Sequence, residues 1–345
     1  MKSDRINTII DYVREYPWTS SGEIYDGLAA LSSYATLKRD IAGLLSSGWL
    51  QSAGNGKAVK YSITDKCRLL YEVDIDKYFE KEVDDRVVFD TFNFGVFKML
   101  SSSKLFSDAE EKNLENLQAG FKEKISKASP EIYRKEMERL AIDLSWKSSQ
   151  IEGNTYSLLE TERLLVDKKT ASGKTKDEAV MLLNHKEALD FILANPDYLS
   201  PLTMGKIEDI HSILVKELDV ERNIRNSGVG VGGSKYRPLD NVHQIREALE
   251  DTCELINARV NVFEKALLIL LMVSYIQPFS DGNKRTARIV SNAELIANSY
   301  CPLSFRTVDS MEYKKAMLLF YEQNNISVFK RIFIAQFEFA VNTYF

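Results

Sequence analysis

The chain has 345 residues, 44% of them hydrophobic with 16 glycines and 7 prolines, which is material for one large and one small globular domain and excludes a disordered or low-complexity chain. Its 45 basic and 50 acidic side chains leave a net charge of −5, excluding a generally cationic nucleic-acid coat while permitting a basic patch on one face. The start lacks a signal-peptide core and the longest apolar run, Ala266 to Val273, is too short to cross a bilayer; 3 cysteines and 3 scattered histidines, His185, His211 and His243, exclude a disulfide framework and a zinc site, so a cytoplasmic protein without a membrane partner is expected.

In chain order, Arg5 to Tyr16 predicts a helix with Ile6, Ile9, Ile10 and Val13 in one apolar stripe, ended by Pro17. Ser21 to Leu31 predicts a second, with Thr19-Ser20-Ser21 and Glu23 as a capped start. Ser33 to Ser47 predicts a third, turning Leu37, Ile41, Leu44 and Leu45 inward and Tyr34, Lys38 and Arg39 outward. Trp49 to Gln51 and Val59 to Ile63 predict two strands joined by the turn-rich tip Ser52 to Lys57. Residues 5 to 64 therefore resemble a winged helix-turn-helix domain. That resemblance implies DNA contact through Tyr34, Lys38, Arg39 and Lys57, although seven bases against six acids up to Ile63 is a weak balance for phosphate-driven binding and leaves a protein-docking wing open. The expected domains are 1–66 for this unit, 67–130 for a helical connecting region and 131–345 for a mainly α-helical remainder.

Ser129-Pro130 breaks the chain before a long helix, Glu131 to Ile151, with Met137, Leu140, Leu144 and Ile151 at helical spacing. Ile207 to Leu218 predicts a helix on which His211 reads as a structural residue among Ile210, Ile213 and Leu214. Ser227 to Leu239 predicts a β-hairpin; its glycines by themselves say only turn. Phe263 to Tyr275 is apolar nearly all round and so belongs in the core. Pro278 interrupts it, and a new helix begins near Gly282. Such a helix start offers free N–H groups to an anion, with no side chain at Gly282 to block it. Asp281, Arg285 and Arg288 follow at i, i+4 and i+7 on one face, with Lys284 beside them. A magnesium nucleotide needs this combination of an oxygen ligand and planar phosphate donors. Charges at this spacing also suit a plain salt-bridged helix face, and both readings stand at this point.

Gln277 to Arg288, QPFSDGNKRTAR, resembles the signature of the Fic (fido) family, commonly His-Pro-Phe, any residue, Asp or Glu, Gly-Asn, Gly or Lys, Arg, two residues and Arg; eleven of twelve positions fit. The resemblance extends over about residues 130 to 345. It implies a mainly α, Fic-type helical domain with a small β-hairpin flap, ATP as substrate or ligand, Mg2+ on Asp281, an anion hole at Gly282, Asn283 and Lys284, and Arg285 and Arg288 on the terminal phosphates. Ser148 to Gly153 looks like the family's inhibitory motif, Ser148, Glu152 and Gly153, in which Glu152 would pair with Arg288. Gly233, Ser234, Lys235 and Tyr236 correspond in place to the flap that docks an extended segment of a target. Implied partners are a nucleotide and a target protein, or the chain itself, bearing a Tyr, Thr or Ser hydroxyl; DNA through the first domain and a homodimer remain open.

The departure is Gln277, where the family carries a histidine that takes the proton of the attacking hydroxyl. An amide has no basic lone pair for that role, so losing the base is expected to cost on the order of 10²–10⁴ in rate. Either an impaired protein adenylyltransferase restrained by Glu152, or a non-catalytic, nucleotide-responsive DNA-binding regulator, follows; hydrolytic removal of AMP is a third reading. His243 is the one histidine worth testing as a substitute base.

Overall fold

A computed structural model describes residues 2–28 and 32–345. Among them are sixteen α-helices and a single two-stranded sheet. The first α-helices and strands are α1 (Lys2–Glu15), α2 (Ser21–Gly27), α3 (Tyr34–Ser46), β1 (Leu50–Ala53) and β2 (Lys60–Ile63), the strands joined through a short 3-10 turn at Gly56–Ala58. Ser20 caps α2 in a reciprocal box with Glu23, and Ser33 caps α3, so each helix starts where its side chains satisfy free N–H groups. The strands pair antiparallel with Leu50 opposite Ile63. Ile9, Ile10, Val13, Ile24, Leu37, Ile41, Leu44, Leu50 and Ile63 form an apolar cluster of their own. Residues 29–31, included in the second helix by the sequence pattern, lie outside the described residues.

Four helices then lead to the main body: α4 (Asp65–Leu70), α5 (Ile75–Glu80), α6 (Gly95–Ser102) and α7 (Asp108–Lys127). Leu69, Phe92, Val96, Met99, Leu100 and Phe121 of this stretch are buried in the main apolar cluster, which explains the aromatic residues among its acidic ones. The remaining helices are α8 (Pro130–Ile151), α9 (Leu158–Asp167), α10 (Lys176–Ala194), α11 (Met204–Leu214), α12 (Val242–Asn257), α13 (Val262–Ile276), α14 (Asn283–Ala297), α15 (Ser310–Gln323) and α16 (Ser327–Thr343). Helix α13, apolar on every side, buries all its residues except Val262 and Lys265, as an all-round hydrophobic helix must. It packs on α12, α14 and α15, while α14 also touches α8, α10 and α11, so the loop between α13 and α14 emerges at the centre of the body.

One expected element does not form. Residues 227–239 contain no strand, and only Arg237 pairs, through an isolated parallel bridge to Thr91. The segment is pinned by other means: Arg86 Nη2 donates to Gly233 O at 2.7 Å, Lys235 Nζ to Asp84 O at 3.0 Å, and the Arg237 N–H to Asp90 O at 2.9 Å. Two of its backbone groups, Gly233 O and the Arg237 N–H, are thus bonded to residues 84–91 and not across a hairpin. Among the described residues no helix is long and apolar enough to cross a membrane.

Candidate functional site

Helix α13 ends at Gln277, whose φ of 52° and ψ of 58° lie in the left-handed region that a residue with a Cβ enters at a cost. Arg225 holds it there. This fully buried side chain donates from Nε to Gln277 O at 2.7 Å and from Nη1 to Ser227 O at 2.6 Å, while its own N–H reaches Pro278 O at 3.0 Å. Within the loop, the Asn283 Oδ1 accepts from the Phe279 N–H at 2.8 Å, and Nδ2 donates to Phe279 O at 2.8 Å. Phe279 lies flat on His211, ring centroids 3.6 Å apart and planes 6° from parallel. Gly282 is the N-cap of α14 at φ 79°, and a Cβ there would sit 3.3 Å from the His211 ring. Only glycine meets both demands. With no side chain at the cap, the first-turn N–H groups of α14 stay open to an anion.

Helix α8 delivers the opposing charge. Its end is a Schellman turn: the Gly153 N–H donates to Gln150 O and the Asn154 N–H to Ser149 O, both at 3.0 Å, with Gly153 at φ 100°. This leaves Glu152 as the C-cap, where the helix dipole disfavours an anion, and two cations from α14 meet it there. Arg288 Nη2 donates to Glu152 Oε1 at 2.9 Å, and Lys284 Nζ lies 3.4 Å from Oε2. Arg288 also donates from Nε to Ser148 Oγ at 2.8 Å and from Nη2 to Ser148 O at 3.0 Å. Burial alone would raise the Glu152 carboxyl, yet attraction to Arg288, Lys284 and Arg285 more than reverses this and keeps it below its ordinary value. The structure thus brings Ser148, Glu152, Lys284 and Arg288 together, of which the sequence pattern had paired Glu152 with Arg288.

Arg285 is less well matched. Its side chain is 1% exposed, yet among the described residues its ionic partner is Asp281, at 3.1 Å and 66% exposed; Nε and Nη1 are buried without a hydrogen-bond partner among the described residues, as is Nη1 of Arg288. Buried guanidinium donors left open are costly unless an anion completes them. Asp281, held by one contact and open to solvent, leaves an oxygen for a cation; no group of three or more His, Cys, Asp or Glu among the described residues would hold a metal on protein ligands alone. A magnesium ion would therefore fit only with phosphate oxygens and waters completing its shell.

The Gln277 side chain points into this same corner. Nε2 donates to Ser274 O at 2.8 Å and lies 3.4 Å from the Tyr321 hydroxyl, while Oε1 accepts from Asn283 Nδ2 at 3.1 Å. None of these contacts is to a histidine. His211 is buried, with Nε2 3.2 Å from Glu221 O and Nδ1 3.3 Å from Thr286 Oγ1, so the ring donates through Nε2 and accepts through Nδ1. Burial pushes its pKa down to about 4. His243 lies exposed at the start of α12. Two residues escaped the sequence reading. Arg225 matches a family arginine in place, but the segment around Asn223 and Ile224 departs from the family pattern and no role could be assigned to it; it acts across 52 positions. His185, on α10, is fully buried with neither ring nitrogen bonded; burial and then the charges of Arg288 and Arg285 push its pKa well below the ordinary value.

Two other expected groups fare differently. Tyr236, expected on a docking flap, is 1% exposed, donates its hydroxyl to Tyr275 O at 2.8 Å and stacks on Tyr275 at 4.9 Å, so it belongs to the core; Gly233 is exposed, while Ser234 and Lys235 are half-buried. On α3, Lys38 and Arg39 are exposed, while the Tyr34 hydroxyl is hydrogen-bonded to Ser21 Oγ at 2.9 Å and the Lys38 ammonium lies 5.7 Å from the Tyr34 ring. The Lys57 side chain lies outside the described residues.

A family model described as Fic/DOC family matches residues 201–295. The curated protein adenylyltransferase Fic of Nematostella vectensis is 28% identical over 181 residues, covering 49% of this chain and 40% of the relative. That of Culex quinquefasciatus is 30% identical over 167 residues, covering 46% and 32%. These matches span less than half the length of the curated relatives. The solved structure of Fic-1, residues 134–508, from C. elegans superposes with a TM-score of 0.60 at 20% identity, covering 72% of this chain and 80% of that one, a likeness of fold.

Proposed function

Because the chain carries a Fic/DOC family domain, matched over residues 201–295, we propose that its α13–α14 loop is a nucleotide-phosphate cradle of an adenylyltransferase-related protein, held shut by Glu152 and deprived of its base at Gln277. The observation that carries the reading is the set of buried, unpartnered donors on Arg285 and Arg288 beside an open helix N-terminus. ATP supplies the anion they lack: terminal phosphate oxygens on Arg285 and Arg288, and the first-turn N–H groups of Asn283 and Lys284 on the neighbouring phosphate. Asp281 would hold Mg2+, which when bound spreads the charge of the phosphate chain. Glu152 occupies the cationic position that a terminal phosphate would take, so it and the nucleotide compete for Arg288 and Lys284.

Transfer of AMP forms a bond between a target hydroxyl oxygen and the α-phosphorus, breaks the bond to pyrophosphate and releases the hydroxyl proton. Gln277 cannot accept that proton, and its amide already makes contacts to Ser274, Tyr321 and Asn283. Phosphate stabilisation survives without it, because such transfer rests largely on positioning and charge. A test combines Mg-ATP titration with labelled-AMP transfer for the natural chain, Glu152→Gly, and Glu152→Gly/Gln277→His. Tighter nucleotide binding on Glu152→Gly and transfer only in the double variant are expected. Absence of nucleotide binding in all three sinks the cradle, and robust transfer by the natural chain overturns the reading of Gln277.

The engaged Gln277 also favours a second reading, a non-catalytic regulator that carries its nucleotide state to DNA through exposed Lys38 and Arg39. A gel shift lost in Lys38→Ala/Arg39→Ala supports it, and binding that ignores both substitutions removes it.

A further inference from the structure

One carboxylate behind the end of α8 does more than its own helix requires. Glu178 is the third residue of α10 and closes the cap of that helix with Thr175: its Oε2 accepts from the Thr175 N–H at 2.9 Å and from Thr175 Oγ1 at 3.1 Å. Its other oxygen serves no cap. Oε1 accepts from the Thr155 N–H at 2.8 Å and from Thr155 Oγ1 at 2.6 Å, on the stretch of chain between α8 and α9. The bond from the Thr155 hydroxyl is the first cause holding the Glu178 carboxyl down at about 2, so the group is ionised at neutral pH and all four bonds are charge-assisted. Around this point the chain leaving α8 is held group by group. Asn154 Nδ2 donates to Glu178 O at 2.8 Å, and Asn154 Oδ1 accepts from the Tyr156 N–H at 3.0 Å. Lys174 Nζ donates to Thr155 O at 2.6 Å, and Trp146 Nε1 to Tyr156 O at 3.0 Å. Residues 155–175 are thereby tied at both ends into a lobe, with Tyr156 and Leu164 packed on Ala179 and Leu182 of α10 in a cluster of their own.

Glu152 stands three residues before Thr155, on the last turn of α8, where a helix frays most easily and the dipole works against its charge. The Gly153 turn closes that end from within, and Glu178 closes it from outside, through Asn154 and Thr155. We propose that Glu178 is a positioning residue for Glu152: by fixing the two residues that follow the Gly153 turn, it keeps the Glu152 carboxylate seated on Arg288 and Lys284. Detaching Thr155 from Glu178 lets the last turn of α8 open and frees both cations, so the 155–175 lobe is the handle that opens the cradle. The control of nucleotide access rests on the nucleotide reading; the seating of Glu152 does not.

The test is Mg-ATP titration of the full chain carrying Glu178→Ala, Glu152→Gly, or both. Glu178→Ala should tighten Mg-ATP at least about threefold in the natural background and change it less than about twofold on top of Glu152→Gly, because it acts through Glu152. Unchanged affinity in the natural background overturns the proposal. So does equal tightening in both backgrounds, which places the effect on the cradle itself, and weaker binding in both, which reduces Glu178 to a cap of α10. Should Glu178→Ala fail to fold, Glu178→Gln, which keeps one acceptor, carries the same test with a smaller tightening, and no tightening there overturns the proposal. Thr175→Ala damages the α10 cap but leaves Thr155 its bonds, so affinity should stay within about twofold; tightening equal to that of Glu178→Ala overturns the link through Thr155. Amide hydrogen exchange without nucleotide separates failure of this proposal from failure of the cradle. The Gly153 and Asn154 N–H groups, which close the turn, should exchange at least about tenfold faster in Glu178→Ala while those of α13 keep their rate. Faster exchange with no Mg-ATP binding in any variant removes the cradle and leaves Glu178 its role; unchanged exchange overturns the positioning.

Discussion

Gly282 and Gly233 have nearly the same backbone, φ 79° and 82°, and sit in loops held in opposite ways. The loop of Gly282 is gripped by buried side chains, Arg225 and His211 from distant positions and Asn283 from the loop itself, whose contacts close on its carbonyls, its ring and its N–H groups. The segment of Gly233 is held by contacts to residues 84–91, the buried Arg86 on Gly233 O, the half-buried Lys235 on Asp84 O and the Arg237 N–H on Asp90 O. Buried charge-assisted bonds in a low dielectric fix a geometry, whereas half-exposed ones compete with water. The first loop is therefore closed by buried bonds, whereas the second joins buried Arg86 to the half-buried Lys235.

The strongest way to break that contrast is Arg225→Met. It keeps the bulk and removes the clamp, leaving Gln277 O and Ser227 O without their donor, each worth about 1–3 kcal/mol when orphaned. A loss of roughly 3–5 kcal/mol in urea denaturation is expected. A loss below about 1 kcal/mol would show that the left-handed Gln277 needs no clamp.

Acid gives the next largest effect. His211 is buried neutral with its pKa lowered from 6.5 to about 4, so the unfolded chain binds a proton below pH 6.5 that the folded chain refuses. Stability from this group is complete above pH 6.5 and falls as pH drops toward 4, by about 3 kcal/mol at most. His185 adds to the loss in the same direction. Glu152 acts lower: its depressed carboxyl keeps its contribution above its ordinary value of 4.5 and loses it only as pH falls through the lowered one. His211→Asn should flatten the wild-type slope between pH 6.5 and 4 while leaving the lower acid limb unchanged. An identical slope in the variant would mean that His211 is already charged or solvated in the folded chain.

What was legible in the sequence follows the same division. Local rules placed α8, α13 and the start of α14 within a residue or two, because caps such as Ser129 and Gly282 and the all-apolar stretch of α13 act over neighbouring positions. The meeting of Glu152 with Arg288 came from the family pattern together with helix-end electrostatics. The glycine-rich 227–239 stretch reads locally as a hairpin, but its donors and acceptors are taken by residues some 150 positions away, which no periodicity encodes. Tyr236 misled for a related reason: a tyrosine beside exposed glycine and lysine looks solvent-facing until Tyr275 and Tyr321 close over it. Arg225 and His185 received no role from the sequence because a buried charge or imidazole has meaning only through the elements packed on it.

The finest test of the contrast uses the two glycines themselves. Alanine at either position pays the left-handed penalty, about 1–2 kcal/mol. At Gly233 the new Cβ meets only Leu318 Cδ1, at 3.7 Å, an ordinary contact. At Gly282 it would press on the His211 ring at 3.3 Å, and that ring is fixed by Phe279, Thr286 and Glu221. Gly282→Ala should therefore lose stability beyond the shared penalty and weaken Mg-ATP binding at least tenfold, because displacing His211 moves Phe279 and the helix start together. Gly233→Ala should show the shared penalty alone and leave Mg-ATP affinity within about twofold. Equal losses for the two substitutions would mean that backbone conformation, and not the packing behind Gly282, sets the geometry of the loop.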